Sequence, residues 1–157
     1  MVWQLRRAKP DDCDAIMLIE STTFGNDAWS AEAMASELAG PHSYYLVAME
    51  EGRVDGYAGL LAAQGSPQAD IQTIAVASTA RRQGLGRVLM MSLITEARQR
   101  GALEVFLEVR ADNPSAKNLY DDLGFEAIAV RPRYYQPDNV DAIIMRLTIE
   151  PTETVTT

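Results

Sequence analysis

A carboxylate and a phenol, Glu108 and Tyr120, stand on either side of an Asn113-Pro114 pair and together could move protons. Glu108 lies toward the end of a strand predicted over Leu103–Arg110. Strict alternation there sets Leu103, Val105, Leu107 and Val109 on one face and Glu104, Phe106, Glu108 and Arg110 on the other. The carboxyl ends of strands in open α/β sheets border ligand crevices. A partly desolvated carboxylate in such a crevice can take a proton from an ammonium ion. Taken alone, Glu108 reads first as a surface glutamate paired with Arg110 or a lysine. Tyr120 falls on the inward stripe of a short helix with Ala116, Leu119 and Leu123, so its ring should be buried. A phenol can give a proton to a departing thiolate. Alone, it is also an ordinary core aromatic.

A second segment could hold an anion. A strand predicted over Asp70–Val76 runs through Ile74-Ala75-Val76 into Arg81-Arg82-Gln83-Gly84-Leu85-Gly86-Arg87, and a helix follows. A strand feeding a helix through such a turn leaves free backbone N–H groups at the positive end of the helix, where anionic oxygens bind. Gly84 and Gly86 would let a ligand approach the backbone, and three arginines add local positive charge. The spacing is not that of a P-loop, and Leu89 stands where a dinucleotide fingerprint has its third glycine. Without context the segment is equally a tight turn whose arginines face water.

The remaining pattern supplies a scaffold of mixed α/β type. Val2–Arg6 reads as an edge strand, Pro10 opens a helix, and Ser30 caps a second helix that Gly40-Pro41 stops. Ser43–Met49 and Val54–Ala62 read as a hairpin turning at Glu50-Glu51-Gly52-Arg53. Leu85, Leu89, Met90, Leu93, Ile94 and Ala97 cover one broad face of the helix after the arginine loop, and Gly101 ends it. Asn113 and Pro114 are a cap and first-turn proline for the short helix ended by Gly124, and Phe125–Val130 with Ala142–Leu147 read as a final antiparallel pair. Residues 1–149 are expected to form one domain and residues 150–157 a disordered tail.

Composition limits the partners. A chain of 157 residues with net charge −8 lacks the basic face that nucleic acid requires, and its acidity would steer basic peptides or amines inward. No apolar run of about 18 residues offers a membrane span, and no apolar signal segment follows the N-terminus, so a cytoplasmic location is the expectation. With Cys13 the only cysteine and His42 the only histidine, neither a disulfide nor a cysteine- or histidine-built metal site is expected. Cys13 is expected to be a small buried hydrophobe. Oligomeric state stays open.

Taken together, these stretches resemble the GNAT acetyltransferases over nearly the whole chain. Arg81-Arg82-Gln83-Gly84-Leu85-Gly86 fits the family's coenzyme A loop. Leu107-Glu108-Val109-Arg110-Ala111-Asp112-Asn113 with Leu119-Tyr120, followed by Arg131-Pro132-Arg133-Tyr134-Tyr135, is more specific and is similar to the RimI branch, whose members acetylate the N-terminus of a small-subunit ribosomal protein. The resemblance implies an acyl-coenzyme A N-acyltransferase fold of about seven strands and about four helices. It implies acetyl-coenzyme A as cosubstrate, no metal, and a protein N-terminus as acceptor. By residue, it implies that the backbone of Ile74, Ala75 and Val76 binds the acetyl carbonyl and pantetheine arm. Arg81, Arg82, Gln83, Gly84, Leu85, Gly86 and Arg87 form the pyrophosphate loop, and Asn113 binds the pantetheine. Glu108 would be the general base and Tyr120 the general acid, with Phe24, Trp29, Tyr134 and Tyr135 shaping a peptide slot. Gly25-Asn26-Asp27-Ala28 is longer than the Phe-Pro-Trp turn of relatives, and Pro132 is unusual before the paired tyrosines. Acetylation of a small amine or a lysine, or non-catalytic acyl-coenzyme A binding, remain the alternative readings.

Overall fold

The structure is a computed structural model that describes residues 3–150. Among these residues, seven strands form one sheet in the order β1-β2-β3-β4-β5-β7-β6. They are β1 (Gln4–Arg7), β2 (Ser43–Glu50), β3 (Arg53–Leu61), β4 (Gln68–Val76), β5 (Glu104–Arg110), β6 (Glu126–Tyr135) and β7 (Val140–Thr148). Four α-helices accompany them: α1 (Cys13–Phe24), α2 (Ala31–Leu38), α3 (Leu85–Gln99) and α4 (Pro114–Asp122). The mixed sheet and four helices are those expected for the acyltransferase fold. Only β4 and β5 run parallel; the other neighbours are antiparallel.

Local chemistry explains the elements. Glu51 and Gly52 both take positive φ, which gives the β2–β3 hairpin a tight turn matched to strand twist. Ser30 caps α2, its hydroxyl accepting from the Ala33 N–H at 3.1 Å. Leu85, Leu89, Met90, Leu93 and Ala97 are the buried stripe of α3, and they pack with Tyr120 and Phe125 on one face of the sheet. Each large aliphatic side chain so buried contributes about 1.5–3 kcal/mol. The opposite face is covered by α1 and α2 through Ile16, Ile19 and Met34, which meet Tyr45, Val47 and Tyr57.

One irregularity decides which face each side chain of β4 serves. The register steps from Gly59↔Thr73 to Leu60↔Ile71, so Gln72 is an extra residue, a bulge. Before it, Ala69 and Ile71 pack toward α3; after it, Thr73 and Ala75 turn toward α1. Asp70, opposite in pleat to Ile71, therefore shares the α1 face with Thr73.

Several boundaries differ from the sequence reading. The first strand starts at Gln4, and Val2 lies outside the described residues. Pro10 opens a short 3-10 turn, Pro10–Asp12, before α1 begins at Cys13. Leu103, expected on the inward face of β5, precedes the strand and is exposed. Cys13 is half-buried, its sulfur 3.8 Å from the Ala31 carbonyl. Of the tail expected to be disordered, all but Glu150 lies outside the described residues. No helix among the described residues is long and apolar enough to cross a membrane.

Candidate active site

The parallel strands β4 and β5 pair only at Gln68↔Glu104, Ala69↔Val105 and Asp70↔Phe106. Beyond these residues they diverge, and a cleft of about 1830 Å³ opens where they part. Ala77 N–H donates to the Asp55 carbonyl on the β3 side at 2.8 Å. Hydrogen-bond alternation then turns the backbone groups of Ile74 and Val76 the other way, into the gap. A partner that needs backbone donors and acceptors in β-like register fits there. The Val76 carbonyl already accepts from Arg81 Nε at 3.2 Å.

The next segment ends in a left-handed residue. Gly84 has φ +85°, a conformation that favours glycine, and serves as N-cap of α3 without any side-chain cap. The first intrahelical bond runs from Val88 N–H to the Gly84 carbonyl at 3.2 Å. The N–H groups of Leu85, Gly86 and Arg87 therefore have no partner within the helix. They open on the same cleft, where the helix dipole adds positive potential. Arg81 and Arg82 line it too. Gln83 is the exception: its side chain turns back to the Thr79 carbonyl, 3.5 Å away, and is not part of the cleft wall. Asn113 lines the other side while capping α4, its Oδ1 accepting from Ala116 N–H at 3.2 Å.

Glu108 projects from β5 into the cleft, two residues beyond the last β4–β5 pair and on the face shared with Asp70. Arg131 of β6 approaches it at 3.4 Å, so its ion pair is with Arg131 and not Arg110. Burial, and after it the charge of Glu108, raise the Asp70 carboxyl above the ordinary range. Glu108 also holds the Tyr134 phenol up by its charge. Tyr120 comes from the opposite wall, buried edge-on against Phe125, with ring centroids 6.1 Å apart. Burial alone pushes its phenol up to about 12, so it stays protonated at neutral pH. Phe24, Trp29, Tyr134 and Tyr135 line the end of the cleft between α1, α2 and the β6–β7 hairpin. The two tyrosine rings stand edge to face at 5.1 Å.

Three features at the cleft escape the sequence pattern. Glu20 of α1 is 1% exposed and is held by the Tyr57 hydroxyl, by Thr73 Oγ1 at 3.0 Å and by Trp29 N–H at 3.1 Å. Asp70 stands beside Glu108. Arg110 ties together Asp27, Asp112 and Asp138. Asp112 apart, their partners are remote in sequence, and the one local sign of the first is a glutamate set in an apolar neighbourhood, near Ile16 and Ile19. Among the described residues no group of three or more His, Cys, Asp or Glu could hold a metal ion.

A mixed sheet split between its only parallel pair, with an uncapped helix N-terminus beside the split, defines an acyltransferase of the coenzyme A-dependent kind. Residues 13–125 match the acetyltransferase (GNAT) family, and the chain belongs to that family. It is thus an acetyl-coenzyme A-dependent N-acetyltransferase. It is 39% identical over 124 residues to the N-alpha-acetyltransferase RimI of Mycobacterium tuberculosis, covering 78% of this chain and 77% of the relative. An uncharacterized protein of Mycobacterium leprae is 39% identical over 140 residues; these are 87% of this chain, which spans only 38% of that longer protein. The crystal structure of the ribosomal-protein-S18-alanine N-acetyltransferase from Escherichia coli superposes with TM-score 0.88 at 32% identity, covering 99% of both chains.

Proposed function

We propose that the protein transfers acetyl from acetyl-coenzyme A to the α-amine of a protein N-terminus, that of a small-subunit ribosomal protein, in one direct step. The observation that carries this reading is that Glu108 and Tyr120 both line the cleft at the split between β4 and β5. The names of the relatives support the acceptor: one is an N-alpha-acetyltransferase, another acts on the alanine of ribosomal protein S18. The amides of Leu85, Gly86 and Arg87 hold the pyrophosphate, with Arg82 adding charge, while Ile74 and Val76 bind the pantetheine arm as a further strand would. Asn113 keeps its amide nitrogen for the same arm while its oxygen caps α4.

Glu108 takes the proton that the amine loses as its nitrogen bonds to the acetyl carbonyl carbon. The free amide in the split stabilises the oxygen that gains charge. As the carbon–sulfur bond breaks, Tyr120 gives its proton to the departing sulfur, and solvent restores both groups. Asp70 shares the negative potential that draws the ammonium form inward. An α-amine of pKa near 7.8 requires about 1 kcal/mol to deprotonate at neutral pH, against about 4.6 kcal/mol for a lysine. The difference favours N-termini over lysine side chains. Phe24, Trp29, Tyr134 and Tyr135 supply apolar walls suited to an extended peptide.

The test is incubation of the protein with acetyl-coenzyme A and a peptide carrying the N-terminus of the ribosomal protein, read by thiol release and peptide mass. A gain of one acetyl group at the α-amine supports the reading. Turnover on small amines with none on peptides, or tight coenzyme binding without thiol release, contradicts it.

A further inference from the structure

Arg110 follows Glu108 by one pleat of β5, and its side chain is four-fifths buried, its guanidinium set among three carboxylates from three segments. Nη1 donates to Asp27 Oδ2 at 2.5 Å, in the 3-10 turn between α1 and α2. Nε and Nη2 grip both oxygens of Asp112 at 2.9 and 3.0 Å, just past the end of β5. Nη2 also reaches Asp138 Oδ2 at 3.2 Å, in the turn of the β6–β7 hairpin. The guanidinium carbon lies 5.1 Å from the centre of the Tyr135 ring.

The segments joined are the two walls of the aromatic slot. Asp27 sits between Phe24 and Trp29, and Asp138 lies three residues beyond Tyr135. The two walls come from chain segments far apart in sequence. We infer that Arg110 is a positioning residue that clamps the two walls of the slot together through Asp27 and Asp138 and so sets the slot's affinity for the acceptor. A guanidinium can serve three carboxylates at once because its donors lie in a rigid planar fork; an ammonium on a lysine stem cannot reproduce that geometry. The clamp touches neither the pyrophosphate loop nor Tyr120. Its Asp27 and Asp138 arms lie at the slot, so the effect of their loss should fall on the acceptor and leave the coenzyme alone, whereas Arg110 itself also grips Asp112, next to Asn113.

The kinetic half of this inference rests on the peptide reading of the slot, whereas its structural half rests on the ion pairs alone. The experiment uses the full chain with Asp27→Asn, Asp138→Asn and Arg110→Lys, the first two keeping side-chain shape while removing charge. Amide hydrogen exchange is followed by mass spectrometry in segments 24–29 and 134–139. Asp27→Asn is expected to speed exchange in 134–139, and Asp138→Asn in 24–29, each across the slot from its own position. Peptide KM should rise about tenfold or more in all three variants, with acetyl-coenzyme A KM unchanged and kcat within about threefold in Asp27→Asn and Asp138→Asn. Exchange changes confined to the mutated wall would overturn the clamp, whatever the acceptor proves to be. So would an Arg110→Lys protein indistinguishable from the parent. If the parent acetylates no peptide while exchange still crosses the slot, the acceptor reading fails and the clamp stands.

Discussion

At the scale of single residues, two tyrosines with similar burial are set different tasks by what their hydroxyls meet. Tyr57 is fully buried and donates to the buried Glu20. Tyr120 is nearly as buried, yet burial alone accounts for the rise of its phenol to about 12. Tyr57→Phe removes a hydrogen bond to a buried carboxylate and should destabilise the protein by about 1.5–3 kcal/mol in urea unfolding. Tyr120→Phe removes a hydroxyl with no hydrogen-bond partner among the described residues, so it should cost no more than about 1 kcal/mol of stability and slow turnover clearly. A Tyr120→Phe enzyme as fast as the parent would return that side chain to a packing role. Glu108→Gln keeps shape and removes the proposed proton acceptor, so turnover should fall by about two orders of magnitude with acetyl-coenzyme A binding intact. Single-turnover thiol release measures the first quantity and calorimetric titration the second. The placement of Glu108 and Tyr120 at the cleft was legible in the sequence because its signal is local: Leu107-Glu108-Val109-Arg110 alternates and Asn113-Pro114 starts a helix. Glu20, Asp70 and the distant partners of Arg110, Asp27 and Asp138, were not, because what distinguishes them is the residue across the fold. Arg110 and Asp27, for example, stand 83 positions apart.

At the scale of elements, the site is made by endings and interruptions. The pairing of β4 with β5 stops after Asp70↔Phe106, the bulge at Gln72 exchanges the faces of β4, and α3 begins without a cap. Gly84→Ala tests the last of these. A methyl group there meets nothing within 4 Å, so the cost is conformational, from φ +85°. It should amount to about 1 kcal/mol and be accompanied by a higher KM for acetyl-coenzyme A and an unmoved peptide KM. A second element-level prediction concerns acid. Asp12, before α1, bonds Arg6 of β1 at 2.7 and 2.8 Å, and that hydrogen bonding lowers its carboxyl below the ordinary value of 3.8. A depressed carboxyl contributes stability that is present above its unfolded value and is lost as pH falls through the folded one. Asp12→Asn should therefore be less stable than the parent at neutral pH, with the gap closing below the ordinary carboxylate range. A gap independent of pH in urea titrations would contradict this. Strand and helix identities were readable from period and caps, but the bulge was not, since Asp70–Val76 carries no glycine or proline to mark it. Leu103 misled for a related reason: the alternation extends one residue beyond the pairing that orients it.

At the scale of the whole molecule, a chain of net charge −8 gathers cationic and backbone positive potential on one side of its split and carboxylates on the other. Arg81, Arg82 and the N-terminus of α3 face the part suited to phosphates, while Glu108, Asp70, Glu20 and Asp27 lie toward the aromatic slot, where Arg110 and Arg131 offset part of their charge. The division fits a reaction between an anionic donor and a cationic acceptor arriving from different faces of one sheet. In the proposed reaction the acetyl group is exchanged where the strands part. The most direct measurement is a crystal structure of the protein with coenzyme A joined to an acceptor peptide through its N-terminal amine. The account predicts pyrophosphate oxygens on the amides of Leu85, Gly86 and Arg87, the sulfur within reach of the Tyr120 hydroxyl, and the peptide nitrogen facing Glu108, directly or across one water. Phosphates bound elsewhere, or a sulfur distant from both side chains, would contradict it.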